Sequence, residues 1–324
     1  MADRKSGPTS RIWRDGRMVN WEDATVHVMS HVVHYGSSVF EGIRCYETPN
    51  GPAIFRLPDH IRRLMDSCRI YRMEIPHSAE TLVQACVDTV AANELRHCYL
   101  RPVVARTGQN MGVYPLGIPV ETFVIAWIWG RYLGEDALTT GVDACVSSWR
   151  RPAPDTLPTL AKAGGNYLIS QLSKMEARLD HYVEGIMLDS FGYVSEGSGE
   201  NFFLVRDGVL LTSPLASGIL QGITRDSVIR IARDLGIEVR EQLLPREAIY
   251  VADEAFFTGT AAEVTPIREV DGVTLGNGSP GWLTRSIQKT FMEATAGRLP
   301  RYRRWLHYVD DCTFAGAYSA VPCI

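Results

Sequence analysis

The stretch Glu196-Gly197-Ser198-Gly199-Glu200-Asn201-Phe202-Phe203, continued by Leu210-Leu211-Thr212 and Leu220-Gln221-Gly222-Ile223-Thr224-Arg225, decides how this chain folds. Its apolar runs are broken by Asp207-Gly208, which lies between Phe202–Val205 and Val209–Thr212 and signals a tight antiparallel hairpin. Thr224 precedes a helical pattern of Val228, Ile231, Ala232 and Leu235 that stops at Gly236. The free N–H groups in the first turn of such a helix point at an anion, and a phosphate would fit there. Each piece also has an ordinary reading, with Glu196 as a turn residue beside Gly197 and Thr224 as an N-cap.

Upstream, Lys162 sits in Leu160-Ala161-Lys162-Ala163-Gly164-Gly165-Asn166-Tyr167, an apolar segment without an acidic residue. Desolvation favours a neutral amine, which attacks carbonyls, as lysines do in joining pyridoxal phosphate. The two glycines would let a bulky ligand approach the backbone. Glu196 could then hold its carboxylate against a pyridine nitrogen and keep that nitrogen protonated. For a lysine taken alone, a place on a surface loop is the ordinary alternative.

In this order and spacing, Glu196, Asn201, Phe203, Thr212, Gly222 and Arg225 resemble the signature of the class IV pyridoxal-phosphate aminotransferases. The resemblance extends to the branched-chain amino acid aminotransferases through His34-Tyr35-Gly36-Ser37-Ser38-Val39-Phe40-Glu41-Gly42-Ile43-Arg44, Tyr99-Leu100-Arg101-Pro102, Ser147-Ser148-Trp149-Arg150 and Thr258-Gly259-Thr260-Ala261-Ala262-Glu263. It covers nearly everything from Ile12 to about Val309.

The resemblance implies fold type IV, with two α/β domains enclosing pyridoxal 5'-phosphate. It implies a catalytic Lys162, and a cofactor set of Arg63, Lys162, Tyr167, Glu196, Leu220, Ile223, Thr224 and Thr260. The phosphate would lie among Arg63 and the backbone N–H groups of Ile223, Thr224 and Thr260, and Glu196 rather than Glu200 is selected for the ring nitrogen. For substrate it implies Tyr35, Phe40, Tyr99, Arg101, Val113, Trp129, Tyr132 and Ala261. Tyr99 and the backbone around Thr260-Ala261 would take the α-carboxylate, and Arg101 with Tyr35 the γ-carboxylate of glutamate or 2-oxoglutarate. The activity implied is ping-pong transfer of the amino group of L-leucine, L-isoleucine or L-valine to 2-oxoglutarate. A homodimer is the implied minimal active unit, with Tyr35 and the loop around Met111-Gly112-Val113 reaching into the neighbouring subunit's site, and further assembly to a hexamer is left open.

Rival readings on the same fold are a D-amino acid or (R)-amine transaminase and an aminodeoxychorismate-type lyase; a third is a non-catalytic carrier of the cofactor. The Tyr35 to Arg44 and Tyr99 to Arg101 segments favour the branched-chain branch, and the aromatic set with Arg101 argues against a carrier.

Bulk properties indicate a folded, globular protein. At 324 residues there is room for about two domains, and 45% hydrophobic residues suffice for sizeable cores. Thirty-three basic against thirty-seven acidic residues give a net charge of -4, and no basic run with interleaved aromatics exceeds Arg301-Tyr302-Arg303-Arg304. Nucleic acid is therefore not an expected partner, and that cluster reads as solvating a helix end. The N-terminus lacks an apolar signal core and the longest hydrophobic run, Phe123 to Trp129, has the length of a strand, so the expectation is a cytoplasmic protein with no membrane span. Seven cysteines without a C-x-x-C pair suggest reduced thiols and no zinc site. His27, His31 and His34 have a spacing that could cluster on a helix, but the β-branched residues around them and the missing carboxylate of H-E-x-x-H argue against metal.

Hairpins are expected at Asp15-Gly16, Asp207-Gly208 and Asp271-Gly272, and helices through Ile61, Leu64, Met65 and Cys68 and from about Ala79 to Asn93, giving a mixed α/β (α+β) fold. Arg63, two residues after Ile61, falls about 200° from that helix's apolar stripe, so periodicity alone makes it solvated. The expected organisation is a smaller N-terminal domain over 1–133, a linker at 134–140, a larger cofactor-binding domain over 141–309, and a tail at 310–324 with no assigned role.

Overall fold

The computed structural model describes residues 9–130 and 132–309. In chain order the elements are β1 (Arg11–Arg14), β2 (Arg17–Asn20), α1 (His31–Tyr35), β3 (Ser38–Phe40), β4 (Ile43–Thr48), β5 (Gly51–Phe55), α2 (Leu57–Ile70), α3 (Ala79–Ala92), β6 (Cys98–Arg106), β7 (Val120–Trp127), α4 (Ala137–Thr140), β8 (Val142–Arg150), α5 (Tyr167–Leu179), β9 (Glu184–Leu188), β10 (Val194–Gly197), β11 (Asn201–Arg206), β12 (Val209–Thr212), α6 (Ile223–Asp234), β13 (Val239–Glu241), α7 (Glu247–Tyr250), β14 (Glu254–Gly259), β15 (Glu263–Val270), β16 (Val273–Thr274), α8 (Trp282–Thr295) and β17 (Leu306–Tyr308). The mixture of strands and helices is the one expected.

The three Asp-Gly pairs each turn a hairpin. Asp15, Asp207 and Asp271 take φ of 43°, 50° and 51°, and the glycines that follow take 91°, 76° and 77°. Positive φ at both central residues matches the twist of the flanking strands, and Asp-Gly tolerates it best. α2 starts with Pro58 in its first turn, where a missing N–H costs nothing, and buries Leu57, Ile61, Leu64 and Cys68. α3 is capped by Ser78, whose hydroxyl accepts the Thr81 N–H at 3.2 Å.

Two sheets result. The first runs β17-β5-β4-β6-β7-β1-β2, with β3 beside β6. The second runs β10-β9-β8-β15-β14-β11-β12-β13 with β16 beside β15, and β10 also pairs with β11. That extra pairing closes six strands into a ring, joined where Glu196 stands opposite Asn201. Within the ring β8 and β9 are parallel, and α5 makes the crossover between them that parallel strands require.

The segment from Gly130 to Gly141 connects β7 of the first sheet to β8 of the second, and includes α4. β17 then returns to the first sheet and lies antiparallel to β5. One apolar cluster therefore holds residues of both sheets, packing Phe55 with Phe203, Phe256, Phe291 and Trp305. The tail at 310–324 lies outside the described residues. Among the described residues no helix is long and apolar enough to cross a membrane.

Candidate active site

A cleft of about 600 Å³ opens between α2 and the strand ring, and Arg63, Lys162, Tyr167, Glu196, Leu220, Ile223, Thr224 and Thr260 all line it.

The Lys162 backbone is held by β3 of the first sheet and by α2. Its carbonyl accepts the Phe40 N–H at 3.0 Å, its N–H donates to the Ser67 hydroxyl at 3.0 Å, and Ala163 bridges to Val39. The Lys162 Nζ donates to the Tyr167 hydroxyl at 2.6 Å and stands 5.1 Å from the Phe40 ring centre. A Cβ at Gly164 would stand 2.6 Å from the Ser38 hydroxyl, so this glycine admits the chain's own neighbouring segment, whereas one at Gly165 would make only ordinary contact, 3.9 Å from the Gly36 carbonyl.

Glu196 is buried where the ring of strands closes. Its Oε2 accepts from Asn201 Nδ2 at 2.9 Å and from the Leu220 N–H at 3.0 Å, and its Oε1 lies 3.0 Å from Arg151 Nη2. Burial pushes the carboxyl up from its ordinary range, against the pull of Arg151, the Leu220 N–H and Lys162. Glu200 also lines the cleft. Burial and the neighbouring Glu184 push it up to about 8, and its Oε1 has no hydrogen-bond partner among the described residues.

At the other end, α6 begins at Ile223 with Gly222 as its N-cap, so Thr224 lies inside the first turn and is not the cap. Position 222 has no room for a side chain, since a Cβ there would stand 1.9 Å from Asn201 Oδ1. The first intrahelical acceptor, the Gly222 carbonyl, takes the Asp226 N–H. The N–H groups of Ile223, Thr224 and Arg225 at the positive end of the helix are thus available to an anion. Arg63 is not solvated as periodicity suggested. Its side chain is 13% exposed, donating from Nε and Nη2 to Glu41 at 2.7 and 2.8 Å and from Nη1 to the Gln221 carbonyl at 2.8 Å. Glu41 is wholly buried, and Arg63 and His60 outweigh that burial to hold its carboxyl well below the usual range.

Beyond Lys162, Phe40, Tyr99, Arg101, Trp127, Trp129 and Tyr132 form one aromatic group. The Arg101 guanidinium lies 4.6 Å from the Phe40 ring centre, 5.4 Å from Tyr99 and 5.7 Å from Trp127. Its Nε is buried without a hydrogen-bond partner among the described residues. Trp129 packs edge-on to Tyr99 at 4.8 Å and to Tyr132 at 5.5 Å. The Thr260-Ala261 turn is gripped from behind by Arg44, which donates to the two carbonyls at 2.9 and 3.1 Å.

Tyr35 and Val113 stand apart. Tyr35 is 43% and Val113 82% exposed, and the two segments touch each other through the Gly112 N–H, which donates to the Tyr35 hydroxyl at 3.3 Å. Neither lines the cleft of their own chain, and Phe40, Tyr99, Arg101, Trp129, Tyr132 and Ala261 also lie outside its lining, beside it rather than in it. The histidine run is one helical turn from His31, with His27 outside it. His31 bonds the Ser37 hydroxyl and Gly112 carbonyl, His27 the Met29 N–H and His34 the Val28 carbonyl. Among the described residues no group of three or more His, Cys, Asp or Glu is placed to hold a metal. The Arg301 to Arg304 cluster pins a helix end, with Arg301 paired to Asp234 and Tyr302 donating to it at 2.8 Å.

The family profile described as amino-transferase class IV matches residues 38–270. The chain belongs to the class IV aminotransferases. It is 52% identical over 301 residues to the branched-chain-amino-acid aminotransferase of Escherichia coli strain K12, spanning 93% of this chain and 97% of that one. The crystal structure of an E. coli branched-chain amino acid aminotransferase superposes with a TM-score of 0.92, at 52% identity, covering 93% of this chain and all of the other. The holo, PLP form of the branched-chain amino acid aminotransferase from Thermobaculum terrenum gives a TM-score of 0.87 at 38% identity, covering 93% and 99%. The fold is that of fold type IV enzymes.

Class IV aminotransferases use pyridoxal phosphate, and the residues of this cleft fit it. The amine of Lys162 suits an aldehyde, the buried carboxylate of Glu196 a ring nitrogen, and Arg63 with the α6 N–H groups a phosphate. Sequence reasoning missed Arg151, Glu41, His60 and Trp127. Arg151 directly follows a quoted motif, but nothing in its spacing announces the carboxylate it meets across the ring of strands.

Proposed function

We propose that this aminotransferase moves the amino group of L-leucine, L-isoleucine or L-valine to 2-oxoglutarate in the cytoplasm, with pyridoxal 5'-phosphate joined to Lys162 and a homodimer as the active unit. The observation that carries the substrate reading is Arg101, a guanidinium packed among aromatic faces with its Nε unpaired. One wall can thus cover an aliphatic side chain and still answer the second carboxylate of glutamate. The names of the similar enzymes support the branched-chain choice.

When bound, the cofactor supplies a sink for the electrons released as the substrate Cα–H bond breaks. Lys162 Nζ would take the proton from the substrate Cα and return it on the way to product, acting as general base and acid. Tyr167 orients that amine through its 2.6 Å bond. Glu196, steadied by Asn201, Leu220 and Arg151, holds a proton at the ring nitrogen. The Tyr99 hydroxyl and the N–H groups of the Thr260-Ala261 turn bind the α-carboxylate, and Arg44 fixes that turn by its carbonyls. Tyr35 and Val113, exposed on their own subunit, would complete the partner's pocket. Buried free cysteines at 45, 68, 86, 98 and 145 suit a reducing compartment.

The test is a set of half-reactions on the yellow holoenzyme with L-leucine, L-glutamate, D-alanine and (R)-1-phenylethylamine, each followed by loss of the visible band. L-Leucine and L-glutamate are expected to bleach it. Bleaching by D-alanine or the amine alone would overturn the reading.

A further inference from the structure

We propose that Glu41 is a positioning residue for the anion end of the cleft, fixing the Arg63 guanidinium at a set span from the Lys162 amine. The inference rests on the reading of Arg63 as a phosphate ligand and deepens it. Glu41 does not line the cleft; it is wholly buried behind Arg63. Its two oxygens take the Arg63 Nε and Nη2 hydrogens and the His60 Nδ1 hydrogen, the last at 2.7 Å. With Nη1 also donating to the Gln221 carbonyl, three of the five guanidinium hydrogens are committed. One hydrogen on each terminal nitrogen remains for an anion, so the fork has a single orientation to offer.

The span comes from a closed circuit of bonds. The Glu41 N–H donates to the Pro102 carbonyl at 2.9 Å and the adjacent Phe40 N–H to the Lys162 carbonyl at 3.0 Å, so the segment carrying the carboxylate is fastened to the lysine's own backbone. A second route returns from Lys162 through its N–H to the Ser67 hydroxyl, which donates to the Arg63 carbonyl at 2.9 Å. Arg63 and Ser67 are one turn apart on α2, so Lys162 and Arg63 are tied both through the helix backbone and through the Arg63 side chain. A ligand joined at one end to the amine must present its anion where this circuit puts the guanidinium.

A buried ion pair can instead serve the fold alone, and the experiment separates the two roles. The full-length apoenzyme is titrated with pyridoxal phosphate, pyridoxal and inorganic phosphate, for the native sequence, Glu41→Asp and Arg63→Ala. Glu41→Asp keeps the charge and retracts the carboxylate by one methylene. Expected for it are a loss of about tenfold or more in affinity for pyridoxal phosphate, weaker inorganic phosphate, pyridoxal binding within about threefold of native, and a moved ³¹P resonance of the bound cofactor. Equal losses for pyridoxal phosphate and pyridoxal, or none for either, would overturn the proposal. Should Glu41→Asp fail to fold, Glu41→Gln, equal in length, must show the same phosphate-selective loss, and tighter or unchanged phosphate binding there would overturn it. If Arg63→Ala loses phosphate selectively and the Glu41 variants do not, only the positioning role falls; if Arg63→Ala shows no such selectivity, the phosphate reading itself falls.

Discussion

Arg151 Nη2 lies 3.0 Å from Glu196 Oε1, while Oε2 of the same carboxyl accepts from Asn201 and the Leu220 N–H. Burial pushes this carboxyl up and Arg151 is the first of the groups that pull it back. In the proposed role beside a ring nitrogen Glu196 acts ionised, so the rate is expected to fall as pH drops through its titration. Arg151→Met removes the cation and raises that titration further. The acid limb of kcat should move to higher pH and kcat at neutral pH should fall about tenfold, the rate equivalent of roughly 1.4 kcal/mol. Superimposable pH profiles for the two enzymes would refute the link.

Lys162→Ala is expected to abolish turnover while the circular dichroism stays native. Tyr167→Phe tests the 2.6 Å bond and should lower kcat about tenfold, the scale of one net hydrogen bond, without a comparable change in KM for L-leucine. A Lys162→Ala protein with native steady-state rates would rule out the assigned base.

Arg101→Met replaces a half-buried cation whose Nε is unpaired among the described residues by an apolar chain of similar length. KM for 2-oxoglutarate and L-glutamate should rise about 10- to 100-fold, as expected for a charge-assisted hydrogen bond of about 1.5–3 kcal/mol, while KM for L-leucine changes by less than about threefold. Steady-state kinetics with both substrates varied decides it, and equal changes for the two would remove Arg101 from the γ-carboxylate.

Glu200 offers a pH test of stability. Its carboxyl is pushed up to about 8 by burial and by Glu184, so between its ordinary range and pH 8 the folded protein binds more protons than the unfolded chain. Stability therefore falls as pH rises across that window and levels off above it. Glu200→Gln, which copies the neutral form, should flatten this decline, recovering on the order of 2 kcal/mol at pH 8–9 relative to pH 5. Urea midpoints at the two pH values measure it, and an equally steep decline in the variant would show that another group titrates.

Much of this arrangement was legible in the residue order because the deciding signals are local. Asp-Gly pairs specify hairpins through φ alone, and the apolar stripe of α2 follows from its period. What escaped depends on pairs far apart in the chain. Arg63 points away from its helix's apolar stripe, yet Glu41 on a different segment draws it inward. Thr224 has the right chemistry for a cap, but the helix already starts at Ile223 behind Gly222, a position where the distant Asn201 side chain leaves no room for a Cβ. Arg151 meets Glu196 only because β8 and β10 flank β9 in the closed ring.

The return of β17 to the edge of β5 bears on how the chain is made. A ribosome will have released residues 51–55 long before residues 306–308 emerge, and until then the outer edge of β5 has unclaimed amides and Phe55 lacks Trp305. Such an edge is a template for intermolecular pairing. Nascent chains halted short of Leu306 should consequently be captured by holding chaperones or aggregate, whereas release of the finished polypeptide lets the last strand seal the first sheet.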